Sequence, residues 1–296
     1  MAATSAWVGL AAGALRLELA PRVGGSVARF GIERDAKVEP LLRPAPDGLD
    51  DVLDAGCFPL VPYSNRVRDG RFQFRGREVR LPPNMAGQRH PLHGDGWRRA
   101  WEVTERGPAS AELLYRHEPA DWPWAYEARQ RFALDEDGLT VTLSCRNLSG
   151  EPMPCGLGQH PYFPCTGETV LDADAGWVWT IDEEVMPLER IPAEGRFGLG
   201  QRRICAQDLD NGFEDWAGTA NIKWPERKLA LTISSPQATR FQVYSPPEGG
   251  FFVAEPVTNA NAALNRPEAE WEAAGLAILR PGEAASMTAR FEARRL

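Results

Sequence analysis

The sequence predicts an all-β protein, a large antiparallel β-sandwich that occupies residues 1–296 as a single domain. Many short segments alternate between apolar and polar residues, which is the period of a half-buried strand. The 25 prolines and 28 glycines are spread along the chain and separate these segments. No run of about twelve residues keeps the period of a helix, and neither a linker nor an internal repeat divides the chain.

The individual elements follow from this alternation and from the turn residues between them. A hairpin is expected over residues 70–81, and residues 259–274 could form a short turn of helix. The other predicted strands cover residues 14–20, 26–32, 100–103, 111–117, 126–134, 139–147, 168–185, 220–224, 228–234, 240–245, 250–253, 277–279 and 284–291. Residues 33–56, 90–97 and 187–203 read mostly as loops. Residues 58–67 contain two prolines, which predicts a loop or an edge segment rather than an interior strand.

Charge and hydropathy exclude several classes of partner. The net charge of −8 argues against nucleic acid and anionic membranes as partners. No apolar run approaches the length of a membrane span. Residues 6–15 resemble the apolar part of an export signal only mildly, and a first strand explains them better.

The five cysteines form an odd, scattered set, at positions 57, 145, 155, 165 and 205. Such a set argues against a disulfide framework and for a reducing compartment, so a cytoplasmic location is expected. A Cys155–Cys165 pair stays open as an alternative. No CxxC pair exists, and His90 with His93 lacks further ligands, so we expect neither a metal nor a cofactor.

One segment, GLGQHPYFP at residues 156–164, departs from the strand pattern in a way that suggests chemistry. Pro161 restricts His160 to an extended conformation, and Gly156 and Gly158 let another group approach the backbone closely. The flanking aromatic residues would suit a pocket of the size of a sugar. A buried structural histidine in a strand is the competing interpretation.

Further polar residues lie in proline- or glycine-rich breaks, where functional sites concentrate. They are Asn65, Arg66, His93, Asp210 and Glu255. A carboxylate base and a histidine acid are the groups that opening a hemiacetal requires, since one takes the anomeric hydroxyl proton and the other protonates the ring oxygen. Each residue alone is more often a solvated surface group.

The order and spacing of these segments resemble the aldose 1-epimerase (galactose mutarotase) family over almost the whole chain. The resemblance runs through LRLELAPRVGGSVARF, PYSNRVRDGRFQFRG, LHGDGW, GLGQHPYF, LDNGFEDW and AEPVTNANAALN. It implies a galactose mutarotase-like supersandwich and an isomerase that acts on a small-molecule aldose, as a monomer or a homodimer. The segments DNGFEDW and AEP differ from the form typical of the galactose enzymes and are closer to bacterial-type members. The resemblance therefore leaves the preferred sugar open.

The resemblance also implies roles for individual residues. Glu255 resembles the general base, His160 the general acid, and His93 the second catalytic histidine beside the ring oxygen. Arg66 and Asp210 resemble residues that hold sugar hydroxyls, with Asn65 beside Arg66. We also expect apolar contacts with the sugar from Tyr162, Trp216 and Tyr63. Phe213 is a weaker candidate, for which core packing is preferred.

Three other functions remain open at this point. A glycosidase would use Asp210 and Glu255 as a carboxylate pair. A hexose-phosphate epimerase would need a basic cradle, for which Arg98-Arg99 and Arg202-Arg203 are weak candidates. A carbohydrate-binding protein would not need both His160 and Glu255. For the acid–base pair, the neighbouring carboxylate predicts a raised pKa for His160, whereas burial and Arg66 oppose each other at Glu255.

Overall fold

The computed structural model describes residues 7–296, and strands dominate it. In chain order the strands are β1 (Val8–Ala12), β2 (Leu15–Ala20), β3 (Ser26–Arg34), β4 (Lys37–Pro40), β5 (Cys57–Leu60), β6 (Arg71–Phe74), β7 (Arg77–Arg80), β8 (Glu102–Arg106), β9 (Ser110–His117), β10 (Tyr126–Leu134), β11 (Gly138–Asn147), β12 (Met153–Cys155), β13 (Gly158–Pro164), β14 (Val170–Ala173), β15 (Trp177–Ile181), β16 (Pro187–Pro192), β17 (Arg202–Arg203), β18 (Leu209–Glu214), β19 (Thr219–Trp224), β20 (Leu229–Ser234), β21 (Arg240–Ser245), β22 (Phe251–Val257), β23 (Ala277–Leu279) and β24 (Ala284–Arg295). Among the described residues, no helix is long and apolar enough to cross a membrane.

In the described part of the chain, helical structure consists of single 3₁₀ turns of three residues. They are Val52–Asp54, Arg68–Gly70, Gly96–Arg98, Gly195–Phe197, Pro225–Arg227, Ala263–Asn265 and Glu268–Glu270. Two of them fall within residues 259–274, where the sequence suggested a turn of helix. The strand expected over residues 14–20 is β2, and β1 covers most of the described part of segment 6–15, whose first residue, Ala6, lies outside the described residues.

The strands of residues 7–296 form two large sheets and two hairpin-sized ones. The larger sheet has 11 strands in the order β1-β2-β3-β5-β13-β22-β21-β18-β15-β16, with β4 paired to β3. The second has nine strands in the order β17-β14-β19-β20-β24-β11-β10-β9-β8. The pairs β12–β23 and β6–β7 complete the set. All paired strands run antiparallel.

The two large sheets enclose one main hydrophobic core. Alternate residues of β2, such as Leu15 and Leu17, enter it from the larger sheet. Phe132 of β10, Val141 of β11 and Phe291 of β24 enter it from the other sheet. Burial of alternate side chains supplies the main driving force for this packing. The architecture is therefore the antiparallel β-sandwich that the sequence predicted.

The larger sheet is also covered on its second face, and this determines where the site lies. Phe163 of β13 enters the main core, whereas Tyr162 belongs to a separate apolar cluster on the opposite face. Phe58 of β5, Val253 of β22 and Trp97 complete that cluster together with neighbouring side chains. Both faces of β5, β13 and β22 are therefore buried, which explains why these strands lack a simple apolar–polar alternation.

One prediction about an irregular segment was wrong. Residues 57–60 form β5, an interior strand, although they include Pro59. Within residues 7–296, β3 pairs with β5 at one position, Val27 opposite Cys57, so Pro59 interrupts no continuous ladder on that side. The segments 33–56 and 187–203 are mostly loop, as predicted, and also contain the short strands β4, β16 and β17.

The cysteine pattern was also misleading, because Cys165 and Cys205 form a disulfide. Cys165 follows β13 directly, and Cys205 lies between β17 and β18. The two residues are 40 positions apart in sequence, so their proximity depends on tertiary packing. Cys57, Cys145 and Cys155 are free and buried, which also answers the open question of a Cys155–Cys165 pair.

Candidate active site

A cavity of about 270 Å³ lies on the second face of the larger sheet. Its floor comes from five neighbouring strands, β5, β13, β22, β21 and β18, and its walls come from loops. The lining residues are Leu53, Phe58, Asn65, Arg66, Met85, Gln88, Leu92, His93, Trp97, His160, Tyr162, Val185, Asp210, Gln242, Tyr244 and Glu255. A concave site with several convergent polar groups is the usual form of a small-molecule pocket.

The centre of the cavity is a close pair, His160 of β13 and Glu255 of β22. Nε2 of His160 lies 3.4 Å from Oε1 of Glu255. The imidazole stacks on Phe58, with ring centroids 4.4 Å apart and an interplanar angle of 18°. Pro161 follows His160 in the strand, as expected, and lies outside the β13–β22 ladder, whose partners are Gly158 and then Tyr162. Stacking and backbone restriction thus fix the imidazole against the carboxyl group.

Burial controls the protonation of this pair. It lowers the pKa of His160 to about 3, with a smaller contribution in the same direction from Arg43. Burial also raises the pKa of Glu255 well above its ordinary value, Asp210 adds to this effect, and Arg66 opposes it. The expectation of a raised pKa for His160 was therefore wrong, because desolvation of the imidazolium outweighs the opposing contribution of a backbone hydrogen bond. At Glu255, desolvation prevails over Arg66.

His93 faces the pair from a loop and is fixed by reciprocal hydrogen bonds with Asn65. The Asn65 amide N–H donates to Nδ1 of His93 (3.0 Å), and the His93 amide N–H donates to the Asn65 carbonyl (2.9 Å). Both residues adopt a left-handed conformation with φ of 63°. Burial, His160 and Arg66 hold the pKa of His93 well below its ordinary value. Because Nδ1 is an acceptor, the neutral ring carries its proton on Nε2.

The remaining polar groups form a closed ring of four side chains. Nδ2 of Asn65 donates to Oε1 of Gln242 (3.1 Å), and Nε2 of Gln242 donates to Oδ1 of Asp210 (2.7 Å). Nη2 of Arg66 lies 3.8 Å from Oδ2 of Asp210, and its Nη1 donates to Oδ1 of Asn65 (3.3 Å). Burial raises the pKa of Asp210, while Arg66 and Gln242 oppose the rise. The ring orients donors and acceptors in the way that recognition of hydroxyl groups requires.

Tyr162 lines the cavity, as the sequence suggested, and is supported from outside by Arg43. The Arg43 guanidinium lies 3.8 Å from the centre of the Tyr162 ring. The same guanidinium donates to the carbonyls of Leu53 and Ala55. Arg43 therefore joins the Tyr162 wall to the loop that carries Leu53.

Two aromatic residues that were expected to contact the sugar, Trp216 and Tyr63, do not line the cavity. Trp216 does not line the cavity: its ring stacks on Phe241 at 4.5 Å, and its Nε1 donates to the Thr219 carbonyl. Tyr63 is buried beside Trp122 instead. Phe213 belongs to the main core, as preferred. Both rings are buried in the main core, where large aromatic side chains contribute much apolar contact area.

Several lining residues were not found from the sequence. Gln242 and Tyr244 alternate along β21, and Gln242 lies opposite Glu255 in the register between β21 and β22. In the sequence, Gln242 could have been recognised as a polar residue within the apolar strand FQVYS. Trp97 and Val185 gave no local signal, because their contact with the cavity depends on loops that are distant in sequence.

The other charged candidates lie elsewhere. Nδ1 of His90 accepts the Asp69 amide N–H (2.9 Å), outside the cavity lining. Nε of Arg99 donates to Asp95 (2.7 Å), and Arg203 pairs with a glutamate at 2.9 Å. Within residues 7–296, no group of three or more histidine, cysteine or acidic residues could hold a metal ion.

Comparisons with known proteins agree with this architecture. A family model described as aldose 1-epimerase matches residues 12–292. The uncharacterized protein YphB of Escherichia coli (strain K12) is 36% identical over 296 residues, which cover 96% of this chain and 98% of YphB. The crystal structure of protein b2544 from Escherichia coli K12, a candidate aldose 1-epimerase, has a TM-score of 0.87 at 33% identity and covers 98% of this chain and 99% of that one.

A more distant structure shows the same fold. A galactose mutarotase-like protein from Clostridium acetobutylicum has a TM-score of 0.85 at 19% identity, with 97% of this chain and 95% of that one covered. The large antiparallel sandwich is therefore shared well beyond the range of close sequence similarity.

Proposed function

The chain belongs to the aldose 1-epimerase family, and from this membership we propose that it is a mutarotase that interconverts the α and β anomers of a free aldohexose. Family membership supports an isomerase that acts on a sugar. The specific reaction is our proposal, and it rests on the arrangement of His160, Glu255 and His93 in the cavity.

In the proposed mechanism, Glu255 acts as the general base and His160 as the general acid. The Glu255 carboxylate takes the proton from the anomeric hydroxyl while His160 donates a proton to the ring oxygen, and the bond between C1 and that oxygen breaks. The open aldehyde rotates about the bond between C1 and C2. Ring closure on the other face reverses both proton transfers, so no proton is consumed.

The other cavity residues would bind and orient the sugar. His93 can donate from Nε2, since its Nδ1 already accepts the Asn65 N–H. Arg66, Asp210 and Gln242 offer donors and acceptors to the hydroxyl groups. Enzymes generally obtain part of their rate acceleration by holding the substrate in a fixed orientation against the reacting groups.

The observation that carries the proposal is the 3.4 Å separation of His160 Nε2 and Glu255 Oε1 within a cavity that also holds Arg66 and Asp210. Two groups that share one proton can act as an acid and a base on atoms attached to the same anomeric carbon. A protein that only binds sugars would not require this pair.

Replacement of either member of the pair tests the mechanism. We expect Glu255→Gln and His160→Asn each to lower kcat by about 10²–10⁴, because each removes one proton-transfer group. The double variant should lose less than the product of the two effects, since both groups serve one linked step. Polarimetry of freshly dissolved aldoses, after subtraction of the spontaneous rate, gives the measurement.

Glu214→Gln is a matched control, because Glu214 is a carboxylate of β18 that pairs with Arg190 outside the cavity. It should retain wild-type turnover. Near-wild-type mutarotation by Glu255→Gln would refute the assigned base, and a wild-type chain that binds aldoses without accelerating mutarotation would favour a sugar-binding or sugar-sensing function.

A phosphorylated substrate receives less support. Among the described residues, Arg66 is the one lysine or arginine that lines the cavity, and Asp210 already lies 3.8 Å from it. Hexose phosphates belong in the same polarimetric panel, and we expect free aldoses to react faster.

We further propose that the protein is cytoplasmic and acts as a monomer or a homodimer, although the Cys165–Cys205 disulfide is of a kind more common in oxidising compartments. Cell fractionation and light scattering measure these two properties directly.

A further inference from the structure

The turn between β15 and β16 brings an unusual residue to the cavity wall. Val185 lines the cavity and has a φ of 61°, in the left-handed region. A β-branched residue rarely adopts this conformation, because its side chain crowds the backbone. Such strain persists only where surrounding contacts fix the backbone, and it is concentrated at functional sites.

Hydrogen bonds within the turn fix it firmly. Oδ1 of Asp182 accepts the amide N–H groups of Glu184 and Met186, both at 2.9 Å. The Val185 amide N–H donates to the Asp182 carbonyl (3.0 Å), and the Asp182 amide N–H donates to the Met186 carbonyl (3.0 Å). These bonds account for the shape of the turn.

Hydrogen bonds through Asn261 connect the turn to Arg66, a member of the ring of four side chains. Nδ2 of Asn261 donates to the Val185 carbonyl (2.8 Å). Oδ1 of the same side chain accepts the Arg66 amide N–H (3.2 Å). One buried amide therefore sets the position of Val185 relative to Arg66, across a sequence separation of more than a hundred residues.

The turn also contacts the opposite wall. Nη1 of Arg89 donates to Oε2 of Glu184 at 3.4 Å, and Nε2 of His90 lies 3.5 Å from the same oxygen. Arg89 follows Gln88, which lines the cavity. The Val185 turn and the Gln88 loop thus meet above the cavity.

We propose that Val185 is a specificity-determining residue, an apolar wall held in a strained turn that limits the size of the substituents an aldose can carry beside Arg66. This inference rests on the proposed function. A glycine would form the left-handed turn without strain. The isopropyl group is what valine adds to this turn, and Val185 is one of the residues that line the cavity.

A series of side chains of different size at this position tests the wall. We expect Val185→Gly and Val185→Ala to widen the cavity and Val185→Ile to narrow it. The probes are glucose, galactose and the larger N-acetylglucosamine. The ratio of kcat/KM for N-acetylglucosamine to that for glucose should increase by about tenfold from isoleucine through valine to glycine.

Ala36→Gly provides a matched control. Ala36 is exposed in the turn between β3 and β4, has a φ of 63° and lies outside the cavity lining. This substitution relieves the same backbone strain and should leave both the sugar ratios and KM unchanged. Val185→Ala retains part of the side chain and serves if the glycine variant folds poorly.

Calorimetric titration with the same sugars separates this proposal from the proposed function. Dissociation constants that follow side-chain size support the wall even if wild-type mutarotation is absent, which would refute the mutarotase function alone. Flat ratios and flat dissociation constants across the series would overturn the wall while leaving a measured mutarotase activity intact. A fall in kcat at constant KM would also overturn it, since the turn would then act on the catalytic pair.

Discussion

At the scale of single residues, the His160–Glu255 pair is best described by the one proton that it shares. With one proton, the pair has no net charge, whether the proton lies on the carboxyl or on the imidazole. Burial disfavours both the doubly protonated cation and the fully deprotonated anion, which agrees with the lowered pKa of His160 and the raised pKa of Glu255. Transfer of the proton from carboxyl to imidazole produces the base and the acid that the mechanism needs.

This arrangement predicts a broad pH dependence. Addition of a second proton is opposed by the lowered pKa of His160, so the acidic limb of kcat/KM should lie well below the ordinary histidine pKa of about 6.5. Removal of the last proton is opposed by the raised pKa of Glu255, so the basic limb should lie well above the ordinary glutamate value of about 4.3. We expect a plateau between the two limbs, measured as kcat/KM against pH after subtraction of the buffer-catalysed rate.

His90→Asn is the control for this profile, because His90 is a buried histidine outside the cavity lining. The plateau should survive that change. An acidic limb centred near 6.5 in the wild-type chain, or a narrow bell, would contradict the single-proton description.

At the scale of elements, the segment before β13 contains a glycine, Gly156, that leaves room for the side chain of Asn259. A Cβ atom at Gly156 would lie 2.0 Å from Oδ1 of Asn259. That oxygen accepts the amide N–H of Ser64 (3.0 Å), and Nδ2 of Asn259 donates to the Ser64 carbonyl (3.0 Å). Ser64 precedes Asn65, so the glycine ahead of the His160 strand indirectly positions the ring of Asn65, Gln242, Asp210 and Arg66.

We therefore expect Gly156→Ala to lower the free energy of unfolding by about 1–3 kcal/mol, the usual effect of overpacking a buried site. KM should rise as well, because displacement of Asn259 shifts the backbone at Asn65. Urea denaturation and mutarotation kinetics measure the two effects. Gly167→Ala is the matched control, since a Cβ atom there meets nothing within 4 Å. Equal free energies of unfolding for the two variants would show that Asn259 can move aside without a loss of stability.

At the scale of the whole molecule, the Cys165–Cys205 disulfide links two strands of the site floor. It joins the end of β13, which carries His160, to the segment that leads into β18, which carries Asp210. A bond across 40 residues restricts the unfolded chain and thereby stabilises the folded one.

Removal of this bond should lower the free energy of unfolding by about 2–4 kcal/mol. The comparison is between the wild-type chain and the variant with both cysteines replaced by serine, in urea with and without a thiol reductant. The reductant should destabilise the wild-type chain and leave the variant unchanged. Each curve should show one transition, as expected if the chain is a single domain. Identical wild-type curves with and without reductant would show that the bond does not contribute.

The sequence by itself determined the fold class and most of the polar site. Alternation along strands such as β2 and β10 is a local property, since side chains on one face must be buried together. His160 and Glu255 were recognisable because proline follows each of them in a segment that is otherwise apolar. Both signals can be read from neighbours in the chain.

The tertiary structure decided which strands are neighbours, and much of the site follows from that. Gln242 joins Asn65 and Asp210 in the cavity because β21 lies between β22 and β18. Trp216 packs into the core instead, Val185 reaches the cavity through a distant turn, and the disulfide joins residues that no spacing pattern connects. The pKa of His160 fell rather than rose because burial depends on the complete fold. These properties arise from contacts between residues far apart in sequence, and such contacts cannot be predicted from a local sequence pattern.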